Sequence, residues 1–228
     1  MPDLPDIKAA LFDLDDTLID RHGAYDLFYR SFYDKHQSIN ESIAWPEAKD
    51  FFWSLSPDNA TNPRQAFEVI KERWPEVTGD PEEHYHNYFQ GMVEHMQFLP
   101  GASDFVDALN ASGMPWGVVT NGGSYQLEKV KSVGLDGQIP VFVATELHGE
   151  NKPHPAPFIN ALGQMTLTEA DASSVLFVGD NPNTDIIGAQ GLGMQTAWLH
   201  MGREFPESMK SPDLTIDSVS DLYEVLDL

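Results

Sequence analysis

Short, nearly continuous apolar runs alternate along this chain with amphipathic stretches, and that alternation constrains the fold more than any other feature. Ala9-Ala10-Leu11-Phe12 ends at Asp13, Trp116-Gly117-Val118-Val119 at Thr120, and Val175-Leu176-Phe177-Val178 at Gly179. Pro140-Val141-Phe142-Val143 lies between the last two, and weaker runs follow around Thr196-Ala197-Trp198-Leu199 and Leu214-Thr215-Ile216. Runs of this kind are buried on both faces, as in a parallel sheet covered by helices. The segments between them read as helices. Ala102–Ala111 stops at Ser112-Gly113, Tyr125–Val133 at Gly134 and Pro155–Leu162 at Gly163. Pro182–Gln190 opens on a proline, whose missing N–H is harmless at the first helical position. The alternation predicts an α/β fold built on a doubly wound parallel sheet.

One stretch departs from it. From about Ile19 to Phe98 no strand-like run is bounded by turn signals. Four helix-like segments stand there instead: Tyr25–His36, Pro46–Leu55, Arg64–Trp74 and Pro81–Met96. They are separated by Ser38-Ile39-Asn40, Ser56-Pro57-Asp58-Asn59 and Gly79-Asp80. The expected organisation is a core of residues 1–18 and 98–228 with a helical insert, 19–97, after the first strand. Phe51-Phe52-Trp53 reads as the interior of that insert. His84 and His86, two apart, face different sides of a helix and read as surface histidines rather than a metal pair. Arg21 and His22, directly after the first strand's loop, are placed to reach the distal end of a substrate.

Composition removes several chemistries. The 228 residues contain no cysteine, so a disulfide framework, a thiolate zinc site and a cysteine nucleophile are excluded. The net charge of -23, from 13 basic and 36 acidic residues, repels nucleic acid and anionic lipid alike. An anionic substrate must therefore be drawn in by a local cationic site. Residues 1–8 carry Asp3 and Asp6 without a basic or apolar leader pattern, and no apolar run approaches the ~20 residues of a membrane helix. The expectation is a soluble cytoplasmic protein with no nucleic-acid or membrane partner.

Ligands of parallel α/β sheets sit at the carboxyl ends of the strands. Four segments end there in polar residues. Asp13-Leu14-Asp15-Asp16-Thr17 follows the first strand. A carboxylate nucleophile needs no deprotonation at neutral pH, and an acid two residues on can protonate a leaving group. In Val119-Thr120-Asn121-Gly122-Gly123, the Thr120 hydroxyl and the Asn121 N–H can donate to a phosphoryl oxygen. Lys152, in Gly149-Glu150-Asn151-Lys152-Pro153, offers a counter-ion. In Gly179-Asp180-Asn181-Pro182-Asn183-Thr184-Asp185, Asp180 ends a strand; Asp185 falls in the first helical turn, where the helix dipole alone could account for it. Asp13, Asp15 and Asp180 in one pocket would repel one another unless a divalent cation joined them, and hard carboxylate oxygens suit Mg²⁺.

The set Asp-x-Asp-x-Thr, strand-Thr-Asn, Lys-Pro and Gly-Asp-x4-Asp, in this order from Asp13 to Asp185, resembles the four motifs of the haloacid-dehalogenase-like hydrolases. The resemblance implies a magnesium-dependent phosphatase with a Rossmann-like core. In it Asp13 forms an aspartyl-phosphate and Asp15 is the general acid/base. It implies that Asp13, Asp15 (through its carboxylate or its backbone carbonyl) and Asp180 hold Mg²⁺, and that Thr120, Asn121 and Lys152 bind the phosphoryl group. Asp185 would orient Lys152 or a metal-bound water. The insert is similar to the helical cap of the phosphoglycolate-phosphatase and pyrimidine-nucleotidase branch, and Gly193–Trp198 is similar to its nucleotidase-like members. The implied substrate is a small phosphorylated metabolite, handled by a monomer or homodimer. Transfer to a sugar hydroxyl, as in a phosphomutase, remains an alternative, as does a non-catalytic binding protein. Dehalogenation is disfavoured, because halide displacement has no use for Asp15.

Overall fold

The structure is a computed structural model that describes residues 6–56 and 62–228; Asp3 and the separator residues Pro57, Asp58 and Asn59 lie outside them. Along the chain run β1 (Ala9–Phe12), α1 (Arg21–Lys35), α2 (Gln37–Asn40), α3 (Trp45–Ser54), α4 (Pro63–Arg73), α5 (Pro81–His95), α6 (Ala102–Ser112), β2 (Trp116–Thr120), α7 (Tyr125–Ser132), β3 (Val141–Ala144), α8 (Pro155–Gln164), β4 (Val175–Gly179), α9 (Ile187–Gly191), β5 (Gln195–Leu199) and β6 (Leu214–Ile216). The chain divides into two compact units, Met1–Asp20 with Gln97–Leu228, and Arg21–Met96.

In the first unit the six strands form one parallel sheet in the order β3-β2-β1-β4-β5-β6. From β1 the chain winds outward through β2 and β3, then returns to β4 beside β1 and winds the other way. The β1–β4 boundary is thus the topological switch point, where a parallel sheet opens a crevice at its carboxyl edge. All four residues of β1 are fully buried, as a central strand requires. Their side chains alternate between two cores. Ala9 and Leu11 pack with Phe158 and Leu162 of α8, Phe177 of β4 and Ala189 of α9 on one face. On the other, Phe12 meets Phe105 of α6 edge-on at 5.7 Å and Trp116 at 6.1 Å. Truncating Phe12 to Ala in such a site costs about 3–5 kcal/mol. Gly113 closes α6 in the left-handed conformation, as a C′ glycine does.

The expected helix over Pro182–Gln190 is instead a wide π-type turn, Pro182–Ile186, running into the short α9. Such turns insert an extra residue and re-aim side chains, here Asp185. The two chain segments that lead out of and back into this unit pair with each other: Asp20 N–H donates to the Gln97 carbonyl at 2.8 Å and Leu99 N–H to the Leu18 carbonyl at 3.0 Å.

Among its described residues, the regular structure of the second unit is all helix. Its core is aromatic: Tyr25, Tyr29, Phe32, Phe52, Phe67 and Tyr88 are buried, with Tyr29 stacked on Phe52 at 4.6 Å. Of Phe51-Phe52-Trp53, only Phe52 is fully interior. Prolines at the first turns of α3, α4 and α5, and the Asn62 and Asp80 side-chain caps, set where these helices begin. Among the described residues no helix is long and apolar enough to cross a membrane.

Candidate active site

Asp13, Thr120 and Asp180 stand at the ends of β1, β2 and β4, while Lys152 comes from the loop after β3 and Asp185 from the π-type turn. The Asp13 N–H donates to the Val178 carbonyl at 2.8 Å, which extends the β1–β4 ladder by one residue and fixes Asp13 at the switch point. Asp180 follows the last residue of β4. Asp13, Asp180 and Asp185 each present a carboxylate oxygen within 4.8 Å of the others, and all three residues are buried.

Asp185 reaches this position because Gly179 has no side chain. A Cβ there would lie 2.4 Å from Asp185 Oδ2, closer than any real contact allows. Asp185 is held by three donors: the Asn181 N–H at 3.0 Å, the Thr184 hydroxyl at 3.3 Å and Lys152 Nζ at 2.7 Å. Lys152 also donates to Asp13 Oδ1 at 2.7 Å, and its side chain is 1% exposed. One buried ammonium thus serves two buried carboxylates. Burial disfavours that ammonium, but Asp13 and Asp185 outweigh it and raise the Lys152 pKa. Burial, with Asp185 adding to it, pushes Asp13 up to about 7 even though Lys152 opposes the shift. Asp180 is raised as well, by burial and then by Asp185 and Asp13. The centre therefore holds more negative charge than its own cations balance, and its donors are carboxylate oxygens. That donor set fits Mg²⁺.

Thr120, the last residue of β2, is buried. The Asn121 side chain clamps the Lys152 backbone from both sides: its Oδ1 accepts the Lys152 N–H at 2.8 Å and its Nδ2 donates to the Lys152 carbonyl at 3.2 Å. The second and third motifs are thereby locked together, and the Asn121 side chain is committed to structure. Thr145, just past β3, supports the same loop by accepting the Gly122 N–H at 3.2 Å.

Asp15 points elsewhere. Its carboxylate is not part of the Asp13–Asp180–Asp185 group; Lys129 Nζ donates to both of its oxygens, at 2.7 and 2.6 Å, and Gln126 Nε2 to Oδ2 at 3.1 Å. Neither Gln126 nor Lys129 stands in a motif, and in Gln126-Leu127-Glu128-Lys129 both read as an ordinary solvated helix face. Arg203 is a third residue that no motif marks. It donates to the Asp180 carbonyl at 2.8 Å and to Oδ2 at 2.9 Å, while Trp198 Nε1 shares that carbonyl at 2.8 Å.

The fold is a six-stranded parallel sheet of the Rossmann-like α/β class, with acids and a buried lysine gathered past its carboxyl edge. The chain belongs to the haloacid dehalogenase-like hydrolase family, whose model matches residues 10–199. The pyrimidine 5'-nucleotidase YjjG of Escherichia coli is 32% identical over 158 residues, 68% of this chain and 68% of its own length. A glyceraldehyde 3-phosphate phosphatase of Pyrococcus abyssi is 28% identical over 203 residues, 86% and 83% of the two chains. Among solved structures, the magnesium-bound HAD-hydrolase YfnB of Bacillus subtilis superposes with a TM-score of 0.76 over 98% of this chain and 100% of its own, at 23% identity; that likeness is one of fold.

Proposed function

We propose that this protein is a Mg²⁺-dependent phosphatase of small phosphomonoesters that works through an aspartyl-phosphate on Asp13. The observation that carries the reading is the buried Asp13–Asp180–Asp185 group with Lys152 bridging two of its members, next to a separate carboxylate, Asp15, two residues from the nucleophile. Asp13 and Asp180 would hold the cation together with a group from Asp15, for which the backbone carbonyl is the choice that leaves Asp15's carboxylate on Lys129. When bound, the cation neutralises charge shared between these carboxylates and the phosphoryl oxygens.

An Asp13 oxygen attacks phosphorus while the ester P–O bond breaks, and Asp15 gives its proton to the departing alkoxide. Asp15, now a carboxylate, takes a proton from water as that water attacks the phosphoaspartate. Phosphate leaves, and both acids return to their starting states. The Thr120 hydroxyl, the Asn121 N–H and Lys152 bind the phosphoryl oxygens, and Asp185 keeps Lys152 aimed at Asp13. A second acid is useful for protonating an alkoxide and useless for displacing halide, which favours phosphate over haloacid chemistry. Relatives named for glyceraldehyde 3-phosphate and pyrimidine nucleotides, and a surface that repels polyanions, favour a small metabolite as substrate.

The test is phosphate release from a panel of sugar phosphates, nucleoside monophosphates and phosphoglycolate, with Mg²⁺ and with chelator, by wild type and by Asp13→Asn. The reading expects metal-dependent release that the variant lacks by several orders of magnitude, and beryllium fluoride binding by wild type alone. Wild-type rates in Asp13→Asn would refute it.

A further inference from the structure

Lys129 and Gln126 are buried, at 4% and 3% exposure, on the same face of α7 one turn apart. Lys129 grips both oxygens of Asp15, which fixes the plane of the carboxylate as well as its position. Gln126 Nε2 faces three acceptors: Asp15 Oδ2, the Asn121 carbonyl at 2.9 Å and Thr120 Oγ1 at 2.7 Å. Because Thr120 Oγ1 accepts from Gln126, its own proton is left to donate in another direction. The Gln126 Oε1 is buried without a hydrogen-bond partner. An unpaired buried acceptor is destabilising, so stability alone would favour an apolar side chain here; the amide is justified by what its N–H groups do.

We propose that Lys129 and Gln126 are positioning residues that hold the Asp15 carboxylate in line for proton transfer and turn the Thr120 hydroxyl toward the phosphoryl group. The proposal rests on the phosphatase reading above, in which Asp15 is the general acid. Asp15 lies past the end of β1 and its side chain is 18% exposed, and these contacts narrow the rotamers it can adopt. Lys129 acts through Asp15.

General-acid assistance matters for an alkoxide leaving group and hardly at all for 2,4-dinitrophenolate, while kcat/KM reports the steps up to leaving-group departure. The experiment compares kcat/KM for an alkyl phosphomonoester and for 2,4-dinitrophenyl phosphate in wild type, Lys129→Met and Asp15→Asn. Lys129→Met is expected to lose on the order of 10–100-fold on the alkyl ester, the scale of a misplaced catalytic group, and less than about threefold on the aryl ester. Equal losses on both, or wild-type selectivity, overturn the proposal. If Asp15→Asn itself fails to discriminate, the general-acid reading falls; if it discriminates and Lys129→Met does not, only the positioning role falls. Should Lys129→Met not fold by circular dichroism, Lys129→Arg and Gln126→Leu carry the same test, and wild-type selectivity in both overturns the proposal.

Discussion

Replacing Lys152 by Met removes the charge that two buried carboxylates share while keeping most of the aliphatic stem. The ammonium sits 2.7 Å from Asp13 Oδ1 and 2.7 Å from Asp185 Oδ1, and those side chains are 11% and 1% exposed. Taking one partner out of a buried ion pair costs about 3–5 kcal/mol, because the charge left behind is neither solvated nor paired. The loss depends on pH. Burial already pushes Asp13 up to about 7 with Lys152 present, so without it the folded variant keeps a proton that the unfolded chain releases near pH 4. Where the native state binds more protons, stability falls as pH rises. The variant's deficit is therefore expected to grow above pH 7, where wild-type Asp13 gives up its proton and the variant's does not, and to be larger at pH 8 than at pH 5 by up to about 1.4 kcal/mol, the most that one proton supplies over one pH unit. Urea denaturation in chelator at both pH values measures it. A deficit that does not grow between pH 5 and pH 8, or one below about 1 kcal/mol at pH 8, would show that Lys152 does not neutralise this pair.

Gly179→Ala is expected to destabilise by about 1–3 kcal/mol, the usual toll of overpacking, and to lower kcat, because the new methyl must displace Asp185; unchanged melting and turnover would refute the close approach. Mg²⁺ is expected to raise the melting temperature more at pH 8 than at pH 5, since protons compete for the raised carboxyls of Asp13 and Asp180; a shift that shrinks toward high pH contradicts that placement. Asp180→Ala is expected to raise the Mg²⁺ concentration needed for half-maximal activity, and a wild-type dependence would remove that residue from the metal site. On matched substrates, a phosphopeptide turned over with a higher kcat/KM than every small phosphomonoester would sink the small-metabolite reading.

The sheet and the placement of polar side chains at its carboxyl edge were legible because both depend on local pattern. A strand buried on both faces must be an apolar run, and an acid set at its tip stands out against that run. The six expected strands are all present, and Asp13, Thr120 and Asp180 stand at strand ends. What was not legible depends on contacts between residues far apart in the chain. Lys129 meets Asp15 across 114 positions, and Gln126 meets it across 111. Arg203 meets Asp180 from a loop after β5 that carries no motif. The π-type turn at Pro182–Ile186 follows from the way Asp185 folds back over Gly179, which periodicity does not encode.

The placement of positive charge ties these observations together. The chain has 13 lysines and arginines against 36 acids, so an unbiased scatter would leave its cations on the surface with many exposed carboxylates within reach. Among the described residues, Arg21, Lys129 and Lys152 are the only lysines and arginines that are buried. Lys152 ends between Asp13 and Asp185, and Lys129 on both oxygens of Asp15. Burying a lysine is unfavourable unless it is paired, and pairing it with a surface acid would have avoided the cost. The two lysines divide the site's acids into two groups by charge. Asp13 and Asp185 share one ammonium and Asp180 beside them takes Arg203, so the three acids stay together with negative charge left over for a cation. Asp15 is kept apart from them under an ammonium of its own. In the proposed reaction a nucleophile and a proton carrier stand only two residues apart and need that separation. Without it, a single metal or a single shared proton would tie both carboxylates into one unit, and neither could perform its own step.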